Sequence, residues 1–278
     1  MSIAPPARAP IVPVRITDPG DPRLSDYAAL RDPALRRDGL FLVESWLAVE
    51  QLLVGARHRV RSLLATDAAL TSLGDALAAT TPAPSVYVAD AAILRHVAGY
   101  PFHRGCLATA ERGPEASLDA ILQALPRGPG TLLALDGVAN PDNVGGLFRT
   151  AAAFGAGAVL LSPGTADPLY RKTIRAGMGA SLRLAWTRVA PWPGVLHELR
   201  RGGWTIVALV PDGEDVDRFA PPADRRIALV AGTEGDGVAQ ATRALCDATI
   251  GIPMRPGVDS LNVTVAAGIA LHRLARAV

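Results

Sequence analysis

Two rhythms of apolar residues run along this chain. Short, nearly unbroken apolar runs suit buried strands, and spaced ones suit helices with one buried face. Residues 41–53 (FLVESWLAVEQLL) start as a strand and run on into an amphipathic helix. The runs at 60–65 and 85–88 predict strands, 89–97 a helix capped by Asp90, and 106–110 a further strand. Prolines and glycines then punctuate 113–130 around a short helical segment at 117–125, which reads as a hinge. Beyond it, the pattern predicts strands at 131–135, 157–161, 205–210, 226–231 and 249–252. Helices are expected between and after them, at 144–154, 169–178, 192–201, 239–245 and 261–277. Near-continuous apolar strands separated by helices predict an α/β fold with a mostly parallel sheet covered on both faces. The expected organisation is a flexible tail at 1–14, a small α/β domain at 15–112, a linker at 113–129 and a larger α/β domain at 130–278.

Composition narrows the function classes. Half of the 278 residues are apolar (49%), enough for a buried core and unlike a disordered chain. No uninterrupted apolar run is long enough for a membrane span. The start, MSIAPPARAPIVPV, has no apolar signal-peptide core and reads as a tail ending in a short strand near 12–16. Cys106 and Cys246 show no metal-ligand spacing, which points to a reduced, cytoplasmic setting. None of the five histidines (His58, His96, His103, His197, His272) has metal spacing, so no metal is expected.

Lys172 is the only lysine; every other basic residue is arginine. A net charge of +2 is too small to identify a nucleic-acid partner. Arg31, Arg36 and Arg37 cluster, and Arg57, Arg59 and Arg61 alternate around His58. If extended, that segment presents three arginines on one side. An RNA-contacting edge and a plain solvated surface both fit.

In parallel sheets, ligands bind beyond the carboxyl ends of strands. Three loops there carry the candidate chemistry. The first, DGVANPDNVGGLFR over 136–149, leads from a strand into a helix, with Asn143 at the expected N-cap. Gly145-Gly146 inside that helix makes sense if a ligand or another backbone approaches closely. Arg149 lies six residues after Asn143. The second, GTEGDG over 232–237, has two carboxylates and no lysine, so it is neither a phosphate cradle nor a dinucleotide fingerprint. Exposed backbone beside a carboxylate suits amines, hydroxyls or positive charge; a tight turn with a solvated Glu234 fits equally. The third, IPMRPGVDSLNV over 252–263, ends a strand and places Ser260 as the expected N-cap of the last helix, with Asn262 in its first turn.

Together and in this order, NPDNVGGLFRTAAAFGA, GTEGDG and IPM…SLNV resemble the three signature motifs of the SpoU/TrmH family of SPOUT-class RNA 2′-O-ribose methyltransferases. The resemblance covers about residues 130–278. Segments such as DGLFLVESWLAVEQLL and FHRGCLATAE resemble the small ribosomal-protein-like substrate-binding domain often fused to this family. Thr233 stands where the family usually has Ser or Ala, and Gly177 opens GMGAS where a small polar residue or Ala is frequent.

The resemblance implies a deep trefoil knot over about residues 230–270, binding S-adenosyl-L-methionine through Gly232, Ile252, Met254 and Leu261. It implies a homodimer acting on structured RNA, with rRNA favoured over tRNA. It places Arg149 at the reacting hydroxyl, where its pKa above about 12 suits charge stabilisation rather than base catalysis. Asn143 would orient Arg149 or the ribose, and Glu234 the arginine or cofactor-side groups. Ser260 and Asn262 would supply hydrogen bonds near the reacting centre. Three competing readings remain: a Rossmann-type nucleotide-binding domain, whose fingerprint NPDNVGG does not supply; a catalytically silent RNA-binding protein on the same fold; and an rRNA methyltransferase conferring antibiotic resistance.

Overall fold

The computed structural model describes residues 11–30, 32–99, 105–221, 226–258 and 260–276. Most of the expected tail, Arg31 and His103 lie outside them. The chain divides into two units, 1–113 and 114–278.

The first unit contains β1 (Val14–Arg15), α1 (Asp32–Arg37), β2 (Leu40–Glu44), α2 (Trp46–Gly55), β3 (Val60–Ala65), α3 (Asp67–Ser72), α4 (Gly74–Ala79), β4 (Ser85–Val88), α5 (Ala91–Ala98) and β5 (Cys106–Glu111). A 3-10 segment, Pro22–Leu30, follows β1. The sheet order is β1-β4-β3-β5-β2, with β1, β4 and β3 parallel and β5 antiparallel to both its neighbours. Tyr27, Leu42, Leu64, Leu94 and Leu107 pack into one core. Asp90 occupies the N-cap of α5, but its side chain makes no capping bond. Arg57, Arg59 and Arg61 are exposed, with His58 half-buried and Val60 buried between them, the alternation an extended segment gives. The strand begins at Val60, so only Arg61 lies in it. Arg59 meets Glu111 and Arg61 meets Asp26, each at 3.5 Å.

The second unit contains α6 (Leu118–Ala124), β6 (Gly130–Leu135), α7 (Pro141–Ala153), β7 (Ala158–Leu161), α8 (Arg171–Ala176), β8 (Ala185–Arg188), α9 (Val195–Arg201), β9 (Thr205–Asp215), β10 (Arg226–Ala231), α10 (Gln240–Arg243), β11 (Ala248–Gly251) and α11 (Val263–Arg276). Helix α6 packs with this unit, placing Ile121 in its core beside Leu132 and Leu160. Six strands form a wholly parallel sheet in the order β11-β9-β10-β6-β7-β8. The runs LLAL, AVLL and IALVA are fully buried, as strands covered on both faces require. Strand β8 has no counterpart among the expected elements. It reads AWTR, only half buried, at the sheet's edge, where burial does not enforce an apolar run.

Three features position the site. First, chain order reverses between β6 and β10, and a pocket opens beyond the carboxyl ends of β9, β10 and β11. Second, the β9–β11 pairing jumps from Ala208↔Thr249 to Glu214↔Ile250, so residues 209–213 leave the ladder. Third, α7 packs tightly between α8 and α11. A Cβ on Gly145 would collide with the Thr173 carbonyl and come within 2.8 Å of the Gly177 amide, while one on Gly146 would lie 2.7 Å from the Thr264 methyl. Close backbone approach therefore accounts for the glycine pair. Lys172, in the first turn of α8, pairs with Asp142 in the first turn of α7 at 2.8 Å. Among the described residues no helix is long and apolar enough to cross a membrane. Among the same residues, no group of three or more His, Cys, Asp or Glu is placed to hold a metal ion.

Candidate active site

The first wall of the site is the loop after β10. Two backbone hydrogen bonds join Thr233 and Gly237, at 2.9 and 3.1 Å, and fold the loop back on itself. Gly235 and Gly237 turn it with φ of +94° and +67°, in the left-handed region that glycine tolerates. Gly232 lies so close to the Gly237 carbonyl that no Cβ fits. The loop thereby carries Thr233 and Glu234 to the pocket edge.

The second wall comes from β11 and the start of α11: Ile252, Met254, Ser260, Leu261, Asn262, Val263 and Ala266. The third is the excursion of β9, which contributes Leu209, Val210 and Pro211. Arg243 forks onto Asp212 at 3.0 and 2.9 Å, tying that excursion to α10 and holding the Asp212 carboxyl below its ordinary pKa. The walls enclose an open pocket of about 320 Å³.

At its mouth Asn262 joins all three loops. Its amide donates to Glu234 Oε1 at 2.7 Å and to Asn143 Oδ1 at 3.0 Å. Its Oδ1 accepts the Thr264 N–H at 2.9 Å. Asn262 therefore caps α11, the place expected for Ser260. A cap satisfies amides in the turn that follows it, and the helix begins only at Val263. Asn143 also differs from expectation. The N-cap of α7 is Asn140, whose Oδ1 takes the Asp142 N–H at 2.8 Å. Pro141 at the first helical position is the sequence signal for this. Freed from capping, Asn143 sits 7% exposed inside the first turn and points its carbonyl oxygen at Asn262.

The pocket thus gathers Gly232, Ile252, Met254, Leu261, Glu234, Ser260 and Asn262, with Asn143 one hydrogen bond away. Arg149 does not line it. It is exposed on α7, about 9 Å along the helix axis from Asn143 at 1.5 Å per residue. Among the described residues it makes no hydrogen bond or ion pair, and Glu234 is engaged by Asn262 rather than by the arginine. Residues 209–211, Ala231, Thr233, Gly235, Gly237, Val263 and Ala266 complete the pocket but were not among the expected site residues. The Pro-Asp-Gly sequence at 211–213 was the available sign that the chain turns away from the ladder there. Burial pushes the Cys106 thiol up to about 12 and the Cys246 thiol up to about 11, so neither is a thiolate nucleophile at neutral pH.

Comparison with known proteins places this geometry. Residues 130–272 match the SpoU rRNA Methylase family. The chain belongs to that family. Among its curated relatives, an uncharacterized tRNA/rRNA methyltransferase of Mycobacterium bovis is 36% identical over 268 residues, covering 94% of this chain and 91% of the relative. A 23S rRNA (guanosine-2′-O-)-methyltransferase of Ralstonia nicotianae is 35% identical over 189 residues, covering 68% and 75%. Among solved structures, the SpoU methyltransferase AviRb from Streptomyces viridochromogenes, in complex with the cofactor AdoMet, superposes with a TM-score of 0.74 at 26% identity. That match covers 92% of this chain and 97% of AviRb. The loop after β6 carries no dinucleotide fingerprint.

Proposed function

We propose that this protein is an S-adenosyl-L-methionine-dependent methyltransferase acting on a ribose 2′-hydroxyl of structured RNA, rRNA in preference to tRNA, as a cytoplasmic homodimer. The observation that carries the reading is Asn262, whose amide binds Glu234 and Asn143 together at the mouth of an apolar pocket.

The pocket's chemistry fits the cofactor. Its volume lies within the roughly 300–1,000 Å³ of small-molecule sites. Ile252, Met254 and Leu261 suit a purine face, and Gly232 leaves the backbone bare for its edge. The Thr233 hydroxyl is buried in this wall without a protein partner among the described residues, a polar group left for a ligand. Glu234 suits the cofactor's positive charge. Close backbone passages at Gly232 against Gly237, and at Gly213 against Ile250, suit a trefoil knot over about residues 230–270.

When bound, the cofactor supplies a sulfonium methyl for in-line transfer to the ribose oxygen. The protein's part is positioning and charge. Arg149, exposed and without a protein partner among the described residues, is available to the RNA. It binds the phosphate beside the target ribose and stabilises the negative charge that develops on the hydroxyl oxygen as its proton passes to a base or to water. Asn143 and Asn262 hold the ribose side of the site, Glu234 fixes Asn262, and Ser260 adds a hydroxyl at the rim. Residues 15–112 serve as the RNA-binding domain and 130–278 as the methyltransferase domain. The apolar side chains that α11 leaves exposed, Val265 (52%) and Ile269 (40%), one turn apart, support pairing of two copies there.

Calorimetry with S-adenosyl-L-methionine, alongside labelled-methyl transfer to ribosomal RNA, tests the reading. The parent and Arg149→Ala are expected to bind saturably, Leu261→Arg not at all, and only the parent to methylate. A folded, dimeric parent that fails to bind overturns the reading in favour of a silent RNA-binding protein.

A further inference from the structure

Asp136 directly follows β6 and is only 8% exposed. Its carboxylate meets no cation among the described residues. Oδ1 accepts the Trp192 indole N–H at 2.8 Å, and Oδ2 accepts the Ala239 backbone N–H at 3.1 Å. Its own backbone N–H donates to the Ala231 carbonyl at 2.8 Å. Ala231 and Ala239 are the residues immediately before and after the 232–238 loop. One residue therefore grips both ends of the loop that brings Thr233 and Glu234 to the pocket.

The grip is braced from outside. The Trp192 indole N–H is shared with Thr242 Oγ1 at 3.2 Å, and its ring packs against the second unit's core. Thr242 is itself buried, on α10 just beyond the loop. A buried carboxylate held only by N–H donors costs solvation that a neutral side chain would not, and it repays that cost only if both oxygens are used. Asparagine has one carbonyl oxygen: it can take the indole or the Ala239 amide, and its NH2 then faces the other donor.

The geometry points to Asp136 as a positioning residue for the cofactor loop. It sets the span between Ala231 and Ala239, and so the place of Glu234 and, through Asn262, of Asn143. This rests on the methyltransferase reading, but the loop itself can be observed without the cofactor.

The test compares the full-length parent with Asp136→Asn, Trp192→Phe and Leu196→Ala. Leu196→Ala is a control for lost stability, because Leu196 is buried in the same unit's core. Amide hydrogen exchange is followed without ligand, and then S-adenosyl-L-methionine binding by calorimetry. In Asp136→Asn, exchange over 232–239 is expected to quicken about tenfold while strand 227–231 keeps its protection, and the cofactor Kd to rise about tenfold. RNA KM should not move. Trp192→Phe, which spares the Ala239 bond, should give a smaller change in the same two readouts. Leu196→Ala should lower global stability without singling out the loop. If exchange quickens uniformly across the unit, or the loop matches the parent, the proposal is overturned. A parent that binds no cofactor defeats the methyltransferase reading instead, and the exchange data still decide the role of Asp136.

Discussion

Asn262 spends every polar atom of its side chain inside the protein: one oxygen on the helix it starts, two N–H groups on Glu234 and Asn143. The two jobs are separable by substitution. Serine caps a helix about as well as asparagine but cannot bridge those two acceptors, whereas alanine does neither. Asn262→Ala is therefore expected to lose about 1 kcal/mol in urea unfolding, and Asn262→Ser to recover most of it. Both should lose methyl transfer alike. Recovery of activity by serine would show that capping alone mattered. At this scale the motif residues were legible in the sequence, but their jobs were not. ANPDN holds two asparagines three apart, and either satisfies a capping pattern. Which one caps is settled by where the backbone enters α7, and Asn143 is left to reach across 119 positions to Asn262.

The helices around that contact cross with almost no clearance. In a solvent-exposed helix, Gly→Ala gains about 1 kcal/mol. At Gly145 the added methyl meets the Thr173 carbonyl and the Gly177 amide, backbone atoms that cannot rotate aside. Collision outweighs propensity, and Gly145→Ala is expected to destabilise the protein by roughly 1–3 kcal/mol in denaturant unfolding. A variant as stable as the parent would mean that α8 can shift freely from α7. The buried strands of the second unit were legible because burial on both faces forces apolar runs. β8 was not, since an edge strand of four residues escapes that demand. The β9 excursion was hidden for another reason: its pairing depends on β11, some forty residues later, and local pattern carries no register.

At the scale of the whole molecule, a net charge of +2 gives no overall field to draw RNA in. The proposed function therefore assigns recognition to local groups such as Arg149, and assembly to apolar surface. The proposed dimer places Val265 and Ile269 of α11 against a second copy. Ile269→Glu would force a charge into that contact and is expected to give monomers in sedimentation, with cofactor binding retained because Ile269 does not line the pocket. A dimer that survives the change would move the contact to another face. Replacing all lysines but one with arginine has a consequence of its own. Amine-directed chemistry, whether a fluorophore or a lysine-specific protease, finds one internal address in the chain. That address is Lys172, clasped to Asp142 where α8 meets α7. A protease cuts backbone that has opened locally, so cutting there would report the parting of these two helices rather than general unfolding of the surface.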